Sequence, residues 1–117
     1  MSYSIVAEKS LAFSVRIVNL HNFLSEDKKE YTMSKQILRC GTSIGANIAE
    51  ALRGQTTADF AAKMNIALKE ASETEYWIKL LYLTNYLTKS QHDSLMADIS
   101  ELLKLLTAIC KTAFSQN

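Results

Sequence analysis

No proline occurs anywhere in the 117 residues, and glycine occurs only at positions 41, 45 and 54. A chain with so few breakers cannot turn as often as a set of short strands requires, so it must fold as a few long helices. The apolar periodicity agrees. Phe13, Ile17, Leu20 and Leu24 recur at alternating spacings of four and three, and Leu95, Ile99, Leu102, Leu106, Ile109 and Ala113 do the same near the other end.

The spacing and the capping residues predict helices over about 5–24, 33–53, 58–84 and 89–114. Ser2, Ser4 and Ser10 can each cap the first, with Ser4 taken as the cap, and Thr32 or Ser34 opens the second. The second helix carries Ile37, Gly41, Ile44, Ile48 and Leu52 inward and stops at Gly54. Thr57 is expected to cap the third, which Asn85 closes by accepting a left-handed backbone. Thr88 followed by Gln91 then forms a capping box for the fourth. Short connections make neighbours antiparallel. The expected fold is all-α, an up-down antiparallel four-helix bundle in one domain over 1–117.

Glycine inside a helix costs about 1 kcal/mol relative to alanine, so Gly41 and Gly45 need a reason. With Ala49 they form a strip at four-residue spacing where no side chain holds a neighbour away. Close helix packing is the reading that follows. A phosphate cradle would need a lysine after the glycines, or a GxGxxG ahead of a helix, and neither is present. On the same helix Arg39, Asn47 and Glu50 interleave with the apolar stripe. Antiparallel pairing through the 54–57 turn joins positions summing to about 111, which sets Arg39 opposite Glu70 to Glu73 as a polar network fixing the register.

The segment YWIKLLYL at 76–83 is apolar in nearly every direction. Ile78 and Leu81 continue the core stripe of Ala67 and Ala71, so Tyr76, Trp77 and Leu80 are expected to point at another subunit. The chain is therefore predicted to be a homo-oligomer.

Chemistry-bearing constellations are scarce. His21 and His92 have no His or Cys at metal spacing, and no Glu-x-x-His motif precedes either. Glu70, Glu73 and Glu75 have Lys69 and Lys79 at ion-pairing spacings. No catalytic residue, metal site or cofactor is expected, and the chain reads as a non-enzyme. Cys40 and Cys110 fall in apolar helical patterns as reduced core thiols, which suits the cytoplasm. No apolar run approaches a membrane span, so neither export nor membrane insertion is expected. Thirteen basic against twelve acidic residues leave a net charge of +1, so any nucleic-acid surface must be local.

The segments SKQILRCGTSIGANIAEALRG and DFAAKMNIALKEASETEYWIKLL resemble the bacterial four-helix-bundle proteins encoded in intervening sequences of large-subunit ribosomal RNA genes, once labelled ribosomal proteins. The resemblance is carried by Arg39, Gly41, Ser43, Ile44, Asn47, Ile48 and Glu50, then by Phe60, Ile66, Ala67 and Glu73. That family is similar to the accessory variability determinant of diversity-generating retroelements, a pentameric barrel that binds a reverse transcriptase and nucleic acid. The resemblance implies an oligomer, with five subunits favoured, and a partner that is RNA or a nucleic-acid-processing protein. Two functions stay open. One is an oligomeric scaffold that binds RNA through basic residues such as Lys28, Lys29 and Lys35, multiplied around the assembly. The other is a structural or regulatory protein-interaction oligomer without nucleic acid, which Glu26, Asp27 and Glu30 among those lysines favour.

Overall fold

The computed structural model describes residues 3–115. Four helices follow one another: α1 (Ser4–Glu26), α2 (Met33–Ala51), α3 (Thr57–Leu83) and α4 (Lys89–Ser115), with no strand among the described residues. Each packs on its chain neighbours, and α4 returns to α1, so α1 stands diagonal to α3 and α2 to α4. The result is an all-α four-helix bundle with extents of 45 × 20 × 19 Å.

The core follows the periodic stripes. Phe13, Ile17 and Leu24 of α1 meet Ile37, Ile44 and Ile48 of α2, Met64, Ile78 and Leu81 of α3, and Ile99, Leu102 and Leu106 of α4, all but fully buried. Each such side chain contributes about 1.5–3 kcal/mol relative to exposure. Two stripe positions depart. Leu52 is 43% exposed because α2 has already ended there, and Ile109 is only half-buried while Cys110 beside it is buried.

The helix ends correct several expectations. Tyr3, not Ser4, occupies the N-cap position of α1 and makes no side-chain cap bond. Ser10 is a buried mid-helix residue whose hydroxyl donates to the Ala7 carbonyl at 3.0 Å, and Ser2 lies outside the described residues. Thr32 does occupy the N-cap position of α2, but neither its side chain nor that of Ser34 supplies the cap bond. The Glu30 carboxylate supplies it, accepting from the Ser34 N–H at 2.8 Å and the Thr32 N–H at 3.3 Å; an acid at a helix N-terminus also suits the macrodipole.

Thr56 rather than Thr57 caps α3, its hydroxyl accepting from the Asp59 N–H at 3.0 Å. Gly54 takes no left-handed backbone. α2 stops instead in a tightened turn, with the Gly54 N–H on the Ala51 carbonyl at 3.0 Å. Asn85 does turn left-handed, at φ 69°. The Tyr86 N–H then reaches the Leu81 carbonyl at 2.9 Å and the Asn85 N–H the Tyr82 carbonyl at 3.1 Å, a Schellman closure. Thr88 and Gln91 form the reciprocal capping box, at 2.8 and 3.1 Å.

Candidate subunit and nucleic-acid interfaces

The glycine strip lies on the α1 side of α2. A Cβ on Gly41 would stand 2.8 Å from Ile17 Cγ1, closer than carbon atoms tolerate, so the Ile17 side chain can lie directly on the α2 backbone there only because Gly41 has no side chain. At Gly45 the approach eases, with 3.3 Å to Ser14 Oγ and 3.4 Å to the Ser10 carbonyl. Ala49 departs from the expectation. It is exposed, because α1 and α2 have separated enough to leave a groove of about 420 Å³ floored by Gly45, Ala46 and Ala49.

On the other side of α2, Arg39 bonds Glu70 at 3.3 Å and also Glu73, whose carboxylate accepts the Trp77 indole N–H at 3.0 Å. Burial works against the guanidinium charge, but the Glu73 and Glu70 carboxylates outweigh it and hold its pKa above the ordinary value. Beneath this cluster the Thr74 hydroxyl lies 3.2 Å from Cys40 Sγ. Burial pushes the Cys40 thiol up to about 11 despite that contact.

Two members of the expected polar network sit elsewhere. Asn47 turns back along its own helix, donating to the Ser43 carbonyl at 2.8 Å and the Ser43 hydroxyl at 2.9 Å. Its amide is satisfied within one turn, so it need not reach α3. Glu50 pairs with Lys63 at 3.4 Å, apart from the Arg39 cluster.

The expected subunit-facing residues divide. Tyr76 is 59% exposed. Trp77 does not point away from the bundle: it is half-buried against the core, tied to Glu73, with the Tyr76 ring edge-on at 5.3 Å. Burying the indole while bonding its N–H satisfies both halves of the side chain within one subunit. Leu80 is half-buried, and Leu83 one turn on is 74% exposed.

A longer apolar strip lies on α1, where Leu11, Val15 and Val18 are 68%, 56% and 42% exposed beside the α1–α2 groove. LAFSVRIV at 11–18 is apolar on both sides of its helix, the same signal that singled out YWIKLLYL. The α1–α4 seam carries contacts that helical spacing does not announce. Arg16 bonds Asp98 at 2.7 Å and the Ser94 hydroxyl at 3.0 Å, and Lys9 pairs with Glu101 at 3.0 Å.

The basic candidates gather at the end of the bundle holding the α1–α2 loop. Lys28 and Lys29 are exposed in that loop, Lys29 left-handed at φ 56°, and Lys35 is exposed on the first turns of α2. Lys28 lies 5.7 Å from the Phe23 ring centroid, and Tyr31 between the lysines is 54% exposed. None of the three lysines forms an ion pair among the described residues.

No group of three or more His, Cys, Asp or Glu side chains among the described residues could hold a metal ion. His21 Nδ1 contacts the Ser34 carbonyl at 3.2 Å, and His92 stacks on Tyr82 beside Asp93. Among the described residues no helix is long and apolar enough to cross a membrane.

A family model described as 23S rRNA-intervening sequence protein matches residues 3–108. The chain is also similar to a solved structure, a protein of unknown function from the S23 ribosomal protein family of Bacteroides thetaiotaomicron. The two are 58% identical over 92% of this chain and 96% of that one, with a TM-score of 0.91. The search of curated proteins returned no match.

Proposed function

For a chain that belongs to the 23S rRNA-intervening sequence protein family, we propose the role of a non-enzymatic, cytoplasmic homo-oligomeric scaffold that associates with RNA through a basic end repeated on every subunit. Five subunits are favoured by the resemblance noted above. The carrying observation is the disposition of Glu30. In the sequence it sits among Lys28, Lys29 and Lys35 and would offset them, but its carboxylate is turned onto the N-terminus of α2. The lysines are left exposed around Tyr31, an aromatic face on which an unpaired base could stack. A single cluster of this size binds weakly. Repetition around an assembly raises the effective affinity without any new contact.

The test is binding of a labelled structured RNA across a salt series, since a phosphate-driven contact weakens steeply with salt. A triple variant carrying Lys28→Glu, Lys29→Glu and Lys35→Glu should lose binding while remaining folded. A parent protein that binds no RNA even at low salt would overturn the nucleic-acid part. The second reading, an oligomer that contacts only protein, is favoured by Glu26 and Asp27, which stay exposed in the same loop region.

A further inference from the structure

The α1–α2 groove and the strip beside it have a counterpart on the same chain. Leu11, Val15 and Val18 follow one another at spacings of four and three, and so do Tyr76, Leu80 and Leu83 on the outer side of α3. Each strip therefore runs about 10 Å along its helix, on one face. The first has a floor of small residues beside it, in a groove of about 420 Å³. The second begins with a protruding aromatic ring, 59% exposed, and ends with Leu83 at 74%.

We propose that these two strips meet between copies of the chain, α1 of one subunit lying along α3 of the next, with Tyr76 seated in the groove over Gly45, Ala46 and Ala49. The inference rests on the oligomer reading above and adds which surfaces join. Matched spacings of four and three are the pattern by which two helices interdigitate side by side. A large knob against a small-residue floor supplies the fit at one end.

The groove is also ready to be dried. The hydroxyls on its walls are already bonded within their own helices, Ser14 to the Ser10 carbonyl at 3.0 Å and Thr42 to the Leu38 carbonyl at 2.7 Å. Covering them strands no donor. The two strips would form the apolar centre of the roughly 800 Å² per partner that a stable contact buries. Because α1 and α3 are diagonal, the strips face opposite ways. A contact between unlike patches leaves one of each kind free on every copy, so it repeats from copy to copy.

Single-cysteine variants test the pairing. Val15→Cys and Leu80→Cys are made separately, mixed, oxidised mildly and run without reductant; the native Cys40 and Cys110 are buried and do not compete. A covalent dimer in the mixture, and in neither variant alone, is the expected result. A dimer from Val15→Cys alone would overturn the inference in favour of a two-fold contact. Leu11→Glu should lower the mass in light scattering to that of one 13.1 kDa chain while the helical signal is retained. An oligomer of unchanged mass in Leu11→Glu, with no mixed cross-link, would place the contact elsewhere and leave the oligomer reading standing. A parent protein that is itself a single chain in solution would overturn both.

Discussion

Helix α1 is held on its two flanks by different physics. Against α2 it lays the Ile17 side chain on the bare backbone of Gly41, a buried contact without charge. Against α4 it is tied by Arg16 to Asp98 and Lys9 to Glu101, all four side chains between 39% and 53% exposed. A dry seam is stabilised by fit, which a single methyl can spoil. A wet seam is stabilised by charges that water and salt weaken. The first should fail abruptly when overfilled and the second should erode gradually.

The largest expected effect is therefore Gly41→Leu. Its Cβ alone would meet Ile17 at 2.8 Å, and Ile17 is fully buried with no room to retreat. We expect a loss of about 3 kcal/mol, overpacking outweighing the gain in helix propensity, with a melting temperature lower by roughly 10 °C. Shortening Ile17 to Ala should cost less in the Gly41→Leu background than in the parent, a coupling that a thermal-melt double-mutant cycle would read. Additive losses would mean that Ile17 is not what Gly41 makes room for.

The second effect comes from the seam between α2 and α3, where Cys40 is buried and its thiol is held near 11 against an ordinary 9.0. The folded protein keeps this proton through a range where the unfolded chain loses it. The contribution is therefore fully present below pH 9 and declines as pH rises toward about 11, by on the order of 2 kcal/mol. Denaturant midpoints across that window should show the decline, and Cys40→Val should remove this share of it. An equal slope in the variant would assign the alkaline loss to other groups.

These seams also differ in how far the sequence discloses them. The glycine seam was legible because only a missing side chain explains two glycines in a helix interior, and the Arg39 pairing because a short turn fixes which positions oppose. Arg16 and Asp98 are 82 residues apart with no tight turn to set their register, so nothing local marks them as partners. Asn47 departs for a related reason: a polar side chain can find a partner one turn away on its own helix, and spacing alone does not choose, whereas Glu50 does pair across the α2–α3 seam, with Lys63. The cap of α3 differs by one residue because Thr56 and Thr57 compete, and that of α1 because Tyr3 takes the N-cap position without a side-chain cap bond to mark it. The α1 apolar strip lies within LAFSVRIV, where Phe13 and Ile17 set a core pattern that hides the outward Leu11, Val15 and Val18 among inward neighbours.

On the wet flank, Arg16→Ala should destabilise by about 0.5–1 kcal/mol at low salt, the range for exposed ion pairs with a few added hydrogen bonds. The difference from the parent should shrink in 1 M salt as screening removes the charge attraction. Gly41→Leu should show no such salt dependence, and a salt-independent Arg16→Ala loss would mean that its packing against α4, rather than its charge, does the holding.

Gly45→Ala should change least. Its Cβ would stand 3.3 Å from the Ser14 hydroxyl and 3.4 Å from the Ser10 carbonyl, a tight contact but not a collision. The nearest atom is a hydroxyl that can yield by a small rotation while keeping its bond to the Ser10 carbonyl. Against that adjustment stands a gain of up to about 1 kcal/mol from replacing glycine in a helix, so the net should fall within about 0.5 kcal/mol of the parent. Thermal melts of Gly45→Ala and Gly41→Ala run together mark where the close approach ends. Gly41→Ala should be the less stable, because the atoms it meets belong to a core isoleucine. If Gly45→Ala proved equally damaging, α1 and α2 would be in closest contact along the whole strip, and the groove floored by Gly45 and Ala49 would be too shallow to receive a side chain from another subunit.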